Sequence, residues 1–126
     1  MATPLEQGRI LWIELLDPQG RNLKIRPAVI VTSTSEIHSD GVVVVVAIST
    51  QIDSMPEDVC VELPWHRDGH PKTKLNARNV AICTWAVPIH VSSIVSAGGR
   101  VPLKQMKEIL SILLRLQQPP VSRTES

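Results

Sequence analysis

Phenylalanine and tyrosine are absent from this 126-residue chain, and tryptophan occurs three times. The interior must then be filled by valine, isoleucine and leucine, and an apolar content of 43% is enough for a packed core rather than a disordered chain. Cysteine is scarce. Cys60 and Cys83 each sit inside an apolar run, which suits small buried hydrophobes and argues against a disulfide-stapled scaffold. No apolar run approaches the roughly 18 residues that a membrane-spanning helix needs. No basic segment followed by an apolar one opens the chain, so a cytoplasmic location is the expectation.

The familiar catalytic signatures are missing too. There is no glycine-rich phosphate loop, no nucleophile elbow and no Cys-x-x-Cys. His66 and His70 have a zinc-like spacing, but Gly69 and Pro71 break the helix that would align their rings, so neither a metal nor a cofactor is expected. A net charge of +1 neither demands nor forbids a nucleic-acid partner. Its distribution says more. Arg9, Arg21, Lys24, Arg26, Arg67, Lys72, Lys74 and Arg78 fall in or beside loops, and together suit either a local basic face or an ordinary solvated surface.

What the chain does have is a pair of strongly β-branched runs. Lys24-Ile25-Arg26-Pro27-Ala28-Val29-Ile30-Val31 is followed, after a polar loop over 32–41, by Val42-Val43-Val44-Val45-Val46-Ala47-Ile48-Ser49-Thr50-Gln51. A valine run this short reads as a strand buried on both faces. Two such strands side by side bring Arg26 and Ser49 to one rim of a sheet. Arg26 has no carboxylate partner in the local sequence, and Pro27, which lacks an N–H, marks a strand start or a bulge beside it. The plainer readings are an arginine reaching to solvent and a Ser-Thr pair that turns the chain.

Around this pair, residues 9–16 read as a strand joined to the Arg26 strand by a turn over 17–20, with a mobile loop at 17–23. Further strands are expected over 59–63, closed by Pro64, and 79–87, stopped by Pro88, with loops over 52–58 and 65–78. Trp65 suits a stacking platform, or a cover for a barrel end or subunit contact. One helical turn is expected over 91–95, before Gly98-Gly99. The clear helix covers 101–117, with Leu103, Met106, Ile109, Leu110, Leu113 and Leu116 on one face and Pro119-Pro120 beyond its end. This pattern gives one domain over 1–126, with flexible tails at 1–7 and 118–126. Its class is mostly β with a C-terminal α-helix, arranged as a small barrel or curled sheet plugged by that helix. Ile112 and Leu114 lie off the helix stripe, and Trp85 and Val87 extend a strand already supplied with neighbours. That apolar excess implies a homodimer.

These residues resemble the MazF/PemK (Kid) toxin family of toxin–antitoxin systems. The likeness runs through Gly8-Arg9-Ile10-Leu11-Trp12, the Arg-Pro-Ala-Val-Ile-Val stretch from Arg26, Val46-Ala47-Ile48-Ser49-Thr50-Gln51, the strands over 59–63 and 75–83, and the helix from Pro102. The resemblance implies an SH3-like barrel, a homodimer, a cognate antitoxin protein as partner and metal-free, sequence-selective cleavage of single-stranded RNA such as mRNA. It assigns the strand arginine to Arg26 and the hydroxyl residue to Ser49, with Thr50 adjacent. Arg21, Lys24, Lys74, Asn76 and Arg78 are the candidate RNA contacts. Where relatives carry an Arg-Thr-Ile-Asp-like segment, this chain has Ala86-Val87-Pro88-Ile89-His90. His90 is the candidate acid or base there, since imidazole titrates near neutrality. The departure also admits a second reading, a barrel that binds RNA or a partner without cutting. A third, a gyrase poison of the CcdB kind, would need a Trp-x-Gly-like ending where this sequence reads Ser122-Arg123-Thr124-Glu125-Ser126.

Overall fold

The computed structural model describes residues 5–17, 19–38, 41–50 and 56–117. Of the expected flexible tails at 1–7 and 118–126, residues 1–4 and 118–126 lie outside the described residues, as do Pro18 of the turn and most of the loop over 52–58. Leu5, by contrast, packs against apolar neighbours, and Gln7 donates to the Val31 carbonyl and the Thr34 hydroxyl. Six strands form one antiparallel sheet: β1 (Arg9–Leu15), β2 (Lys24–Ile30), β3 (Val42–Ser49), β4 (Cys60–Leu63), β5 (Asn79–His90) and β6 (Ile94–Arg100). The spatial order is β4-β5-β3-β2-β1-β6, and a helix, α1 (Leu103–Gln117), packs across β4 and β5. The mostly-β class with a C-terminal helix is therefore as expected. A closed SH3-like barrel is not confirmed, because no ladder among the described residues joins β6 to β4 or β5. The sheet nonetheless curls. β5 lies beyond β3 and β6 lies beyond β1, yet only residues 91–93 connect them, so the two flanks must approach.

The curl creates two apolar clusters on opposite faces. On the helix side, Ile10, Val29, Val46, Val61, Leu63, Leu75, Met106 and Ile109 are buried together. On the inner side, Leu11, Ile13, Ala28, Ile30, Val43, Val45 and Ala47 are covered by half-buried Trp85, Val87, Ile89, Ile94 and Ala97. In β5, residues of the same parity serve both. Val46 pairs with Ala86 but Ile48 pairs with Ala81, so β5 carries three extra residues at this bulge. An odd shift exchanges the faces of a strand. Ala81 and Cys83 accordingly belong to the helix-side cluster, whereas Trp85, Val87 and Ile89 belong to the inner one.

Several expectations change for physical reasons. Pro88 does not stop β5, and Pro27 lies inside β2 opposite Trp12. Each sits where its strand has a ladder on one side only: the β2–β3 pairing begins at Ala28, and β4 reaches only Ile82. The missing N–H therefore costs no bond. The turn after His90 is a short 3₁₀ segment over Val91–Ser93, and the chain then enters β6, a strand that the sequence did not reveal. Val42 and Val44 are exposed, so the valine run is buried on both faces only from Val45. Trp85 and Val87 point inward and are not part of an apolar excess. In α1, Leu103 and Leu116 are exposed at the helix ends, beyond the reach of the sheet, while Met106 and Ile109 are buried. Both thiols are free. Burial, and then the neighbouring Cys60, push Cys83 up to about 11.

Ile109, fully buried, is the pin of the helix. Ile109→Ala should lower unfolding free energy by about 2–5 kcal/mol through lost burial and a cavity. Leu103→Ala, at a position 70% exposed, should cost under about 1 kcal/mol. Urea titration of both variants distinguishes the two; equal losses would mean that α1 is held along the wider stripe suggested by the sequence.

Candidate active site

The β2–β3 register sets the site. Ala28 pairs with Ala47, and two residues further along that register Arg26 comes opposite Ser49, with both side chains on the inner face. The ladder has ended there, so the strands part into a cleft of about 460 Å³ lined by Trp12, Lys24, Arg26, Ser49, Thr50, Lys74, Asn76 and Asn79, with Pro27 on its wall. Six of the residues singled out in the sequence thus meet: Arg26, Ser49, Thr50, Lys24, Lys74 and Asn76.

Arg26 is held in place rather than extended freely into solvent. It is half-buried, donating from Nε to the Leu15 carbonyl (3.2 Å) and from an Nη to the Asn22 carbonyl (3.0 Å), with its guanidinium carbon 5.5 Å from the centre of the Trp85 ring. Both acceptors are neutral and the ring supplies a cation–π contact. No ion pair engages Arg26, Lys24 or Lys74 among the described residues. A guanidinium has five N–H donors, so three remain for a ligand. The arrangement fixes an unneutralised, forked cation, which suits the oxygens of a phosphate.

The loop that supplies the Asn22 carbonyl is framed from within. Asp17 Oδ1 accepts the N–H groups of Gln19 (3.0 Å) and Arg21 (2.8 Å), and Oδ2 accepts the Asn22 side-chain amide (2.8 Å). Asn22 itself adopts a left-handed backbone, φ 58°. The Arg21 N–H, with help from Asn22 and Gln19, holds the Asp17 carboxyl below its usual value of 3.8 against a smaller desolvation effect. The loop expected to be mobile carries a hydrogen-bond frame that ends on Arg26.

Other candidates lie elsewhere. Arg78 is paired through Nε with Glu62 of β4 (3.0 Å), and Arg21 contributes backbone groups to the Asp17 frame; neither lines the cleft. His90 pairs with Val42, at the opposite end of β3 from Ser49. Seven residues of strand separate them by roughly 23 Å. There its Nδ1 accepts the Ser92 N–H at 3.1 Å and caps the 3₁₀ turn. The Ala86–His90 stretch lies along that same far half of β5. Among the described residues no group of His, Cys, Asp and Glu is placed to hold a metal, and the His70 Nδ1 instead accepts the N–H groups of Lys72 and Thr73. Trp65 is exposed outside the cleft, whereas Trp12 lines it. Trp12 went unnoticed as a site residue, although a large aromatic on the face of β1 opposite to buried Leu11 and Ile13 was a usable signal.

The family model for the PemK-like, MazF-like toxins of type II toxin–antitoxin systems matches residues 6–116. The chain belongs to this family. No curated protein sequence matches it significantly. Among solved structures it is similar to an endoribonuclease from a mycobacterial species (16% identity, TM-score 0.67, covering 94% of this chain and 99% of that one). It is also similar to MazF from Deinococcus radiodurans (17%, TM-score 0.69, 90% and 96%). A third is a mycobacterial endoribonuclease in complex with its cognate antitoxin (16%, TM-score 0.68, 91% and 99%). At these identities the structural likeness speaks for the fold, and the family membership rests on the matched sequence.

The Asp17 frame has a pH signature. A lowered carboxyl stabilises the folded loop above pH 3.8, and that contribution is lost as pH falls through the still lower folded value. Protection of the Gln19 and Arg21 amides, taken as their exchange relative to the intrinsic rate at each pH, should therefore fall in acid, and Asp17→Ala should bring the same loss of protection at neutral pH. Unchanged exchange in that variant would mean that the frame does not depend on the carboxylate.

Proposed function

We propose that this member of the toxin family is a metal-independent endoribonuclease acting on single-stranded RNA. The reading is supported above all by Arg26, held opposite Ser49 at the mouth of the cleft with no carboxylate among the described residues to neutralise it. In the reaction a ribose 2′-oxygen attacks the adjacent phosphorus. The new O2′–P bond forms and the P–O5′ bond breaks. The 2′ proton is taken up by a base and a proton is delivered to the departing 5′-oxygen, leaving a cyclic phosphate and a 5′-hydroxyl. Arg26 offers paired donors for the oxygens that gain charge at the phosphorane, and Lys24 and Lys74 add to the field. Ser49 and Thr50 present hydroxyls to the phosphate or the attacking ribose. Asn76 and the Trp12 ring suit bases on either side of the bond. Arg78 and Arg21, outside the cleft, fit at most an outer electrostatic role.

The described lining residues include neither a carboxylate nor an imidazole, and this favours a second reading, an RNA-binding domain of the same family that does not cut. Incubating the protein with long single-stranded RNA in EDTA separates the two. Cleavage with cyclic-phosphate ends supports the nuclease; binding without cleavage supports the second reading. For the nuclease, Arg26→Ala should lower the cleavage rate by about 10²–10³-fold, the size of a lost oxyanion-type donor. Arg26→Lys should restore only part, because it keeps the charge but not the fork. Circular dichroism must confirm folding, since the side chain also satisfies two backbone carbonyls. A variant that is folded and cuts at the parent rate would remove Arg26 from the chemistry.

The proposed partners are RNA, a cognate antitoxin and a second copy of the chain. Leu114 of α1 and Val44 of β3 are exposed along a groove of about 330 Å³ that also takes in Leu110, Leu113 and Ala86. A two-fold contact would cover this apolar strip. Light scattering at micromolar concentration should give a dimer mass, and Leu114→Arg should shift it towards monomer. A folded parent that is monomeric there would overturn the dimer.

A further inference from the structure

A second cleft, of about 450 Å³, opens beside the first and is lined by Arg9, Lys72, Lys74 and Arg100, together with Gly99 and the start of α1. Among the described residues only one carboxylate pairs with any of these four cations. Glu6 lies 3.3 Å from Arg9 and 3.1 Å from Arg100, while Lys72 and Lys74 are in no ion pair. The Arg9 Nε is buried with no hydrogen-bond partner. The cleft is thus positively charged well beyond what its own acid balances.

Its lysines are set on a rigid frame. The His70 Nδ1 accepts the Lys72 and Thr73 N–H groups, and buried Thr73 donates to the Pro64 carbonyl at 2.8 Å. The Arg100 N–H donates to the Lys72 carbonyl at 2.8 Å. Gly99 packs so closely on the backbone of Lys72 and Thr73 that a Cβ there would collide with the Lys72 carbonyl, so β6 clamps the loop directly. Lys74, held in a left-handed conformation at φ 64°, belongs to the walls of both clefts.

We infer that this second cleft is a phosphate subsite for the same RNA strand. It continues the track from Arg26 and Ser49 over Lys74 to Lys72, Arg100 and Arg9. The inference rests on the RNA reading of the first cleft and adds a direction to it. Contacts made by lysine and arginine to the backbone carry no base identity, so the subsite lengthens the footprint without narrowing the sequence recognised. An acidic protein segment would meet the same charge, but the continuity through Lys74 with the Arg26 cleft favours a strand that occupies both.

Binding of non-cleavable 2′-O-methyl RNA, followed by fluorescence anisotropy at several salt concentrations, tests it. The parent should bind a strand of about 20 nucleotides more tightly than one of about 5, with a steeper salt dependence. Lys72→Ala and Arg100→Ala should each weaken the long strand by about three- to tenfold and flatten its salt slope by about one. Arg100→Lys should keep most of the gain, and Lys107→Ala, on the exposed face of α1, should change nothing. If the parent binds both lengths equally, or both alanine variants keep the full gain, the subsite is overturned while the RNA reading stands. If the parent binds neither, both fall. If the variants lose a polyglutamate competitor but bind long RNA like the parent, the cleft is a protein-docking surface and the subsite is overturned.

Discussion

The site depends on where the β2–β3 ladder stops. Pairing from Ala28 with Ala47 fixes the register, and Pro27, without an N–H, stands at the point where the two strands separate. Had the ladder continued, Arg26 and Ser49 would be locked into a sheet with no space between their strands. Because it stops, their side chains keep the common face that the register gives them, and the backbone opens into a cleft. The same proline leaves the β1 side of β2 intact, so Arg26 remains anchored opposite Ile13. The opening therefore does not loosen the strand that carries the cation.

Electrostatics then separates the two kinds of cation in a chain whose total charge is almost balanced. Arg78 has a carboxylate partner across the β4–β5 ladder, and Arg9 and Arg100 share Glu6. Arg26, Lys24, Lys72 and Lys74 have none among the described residues. An exposed pair such as Arg78–Glu62 contributes little to stability, but it removes that arginine from competition for a phosphate. Arg26, Lys24, Lys72 and Lys74 line two adjoining clefts, and a polyanion experiences that local concentration rather than the net charge.

Much of this was legible because it follows from local pattern. β-branched runs gave the central strands, and the proline beside Arg26 marked the break in the ladder. Helical spacing gave α1. What escaped depends on tertiary context. β6 contains Ser96, Ala97, Gly98 and Gly99, too little apolar alternation to read as a strand, and Gly99 is explained by a loop 26 residues earlier pressing on it. Pro88 read as a stop because the sequence does not reveal that one side of β5 lacks a neighbour there. Arg78 looked like a free cation because Glu62 is close only across the ladder. His90 looked available for chemistry until its strand position placed it at the far end of β3.

The β5 bulge joins fold and site more tightly than either strand pattern suggested. A regular β5 paired throughout with β3 would keep every odd residue on the helix side, and Trp85 would follow Cys83 into that cluster. The three extra residues opposite Ala47 reverse the phase, so Trp85 turns inward and its ring comes beneath the Arg26 guanidinium. The Leu15 and Asn22 carbonyls hold the other edge, and Asp17 holds the loop that presents Asn22. A bulge in one strand, a ladder end in a second and a framed loop after a third thus converge on one side chain. Each contact is neutral at Arg26 itself, so together they orient the cation without cancelling its charge. Preorganised charge of this kind needs no rearrangement when a phosphate arrives.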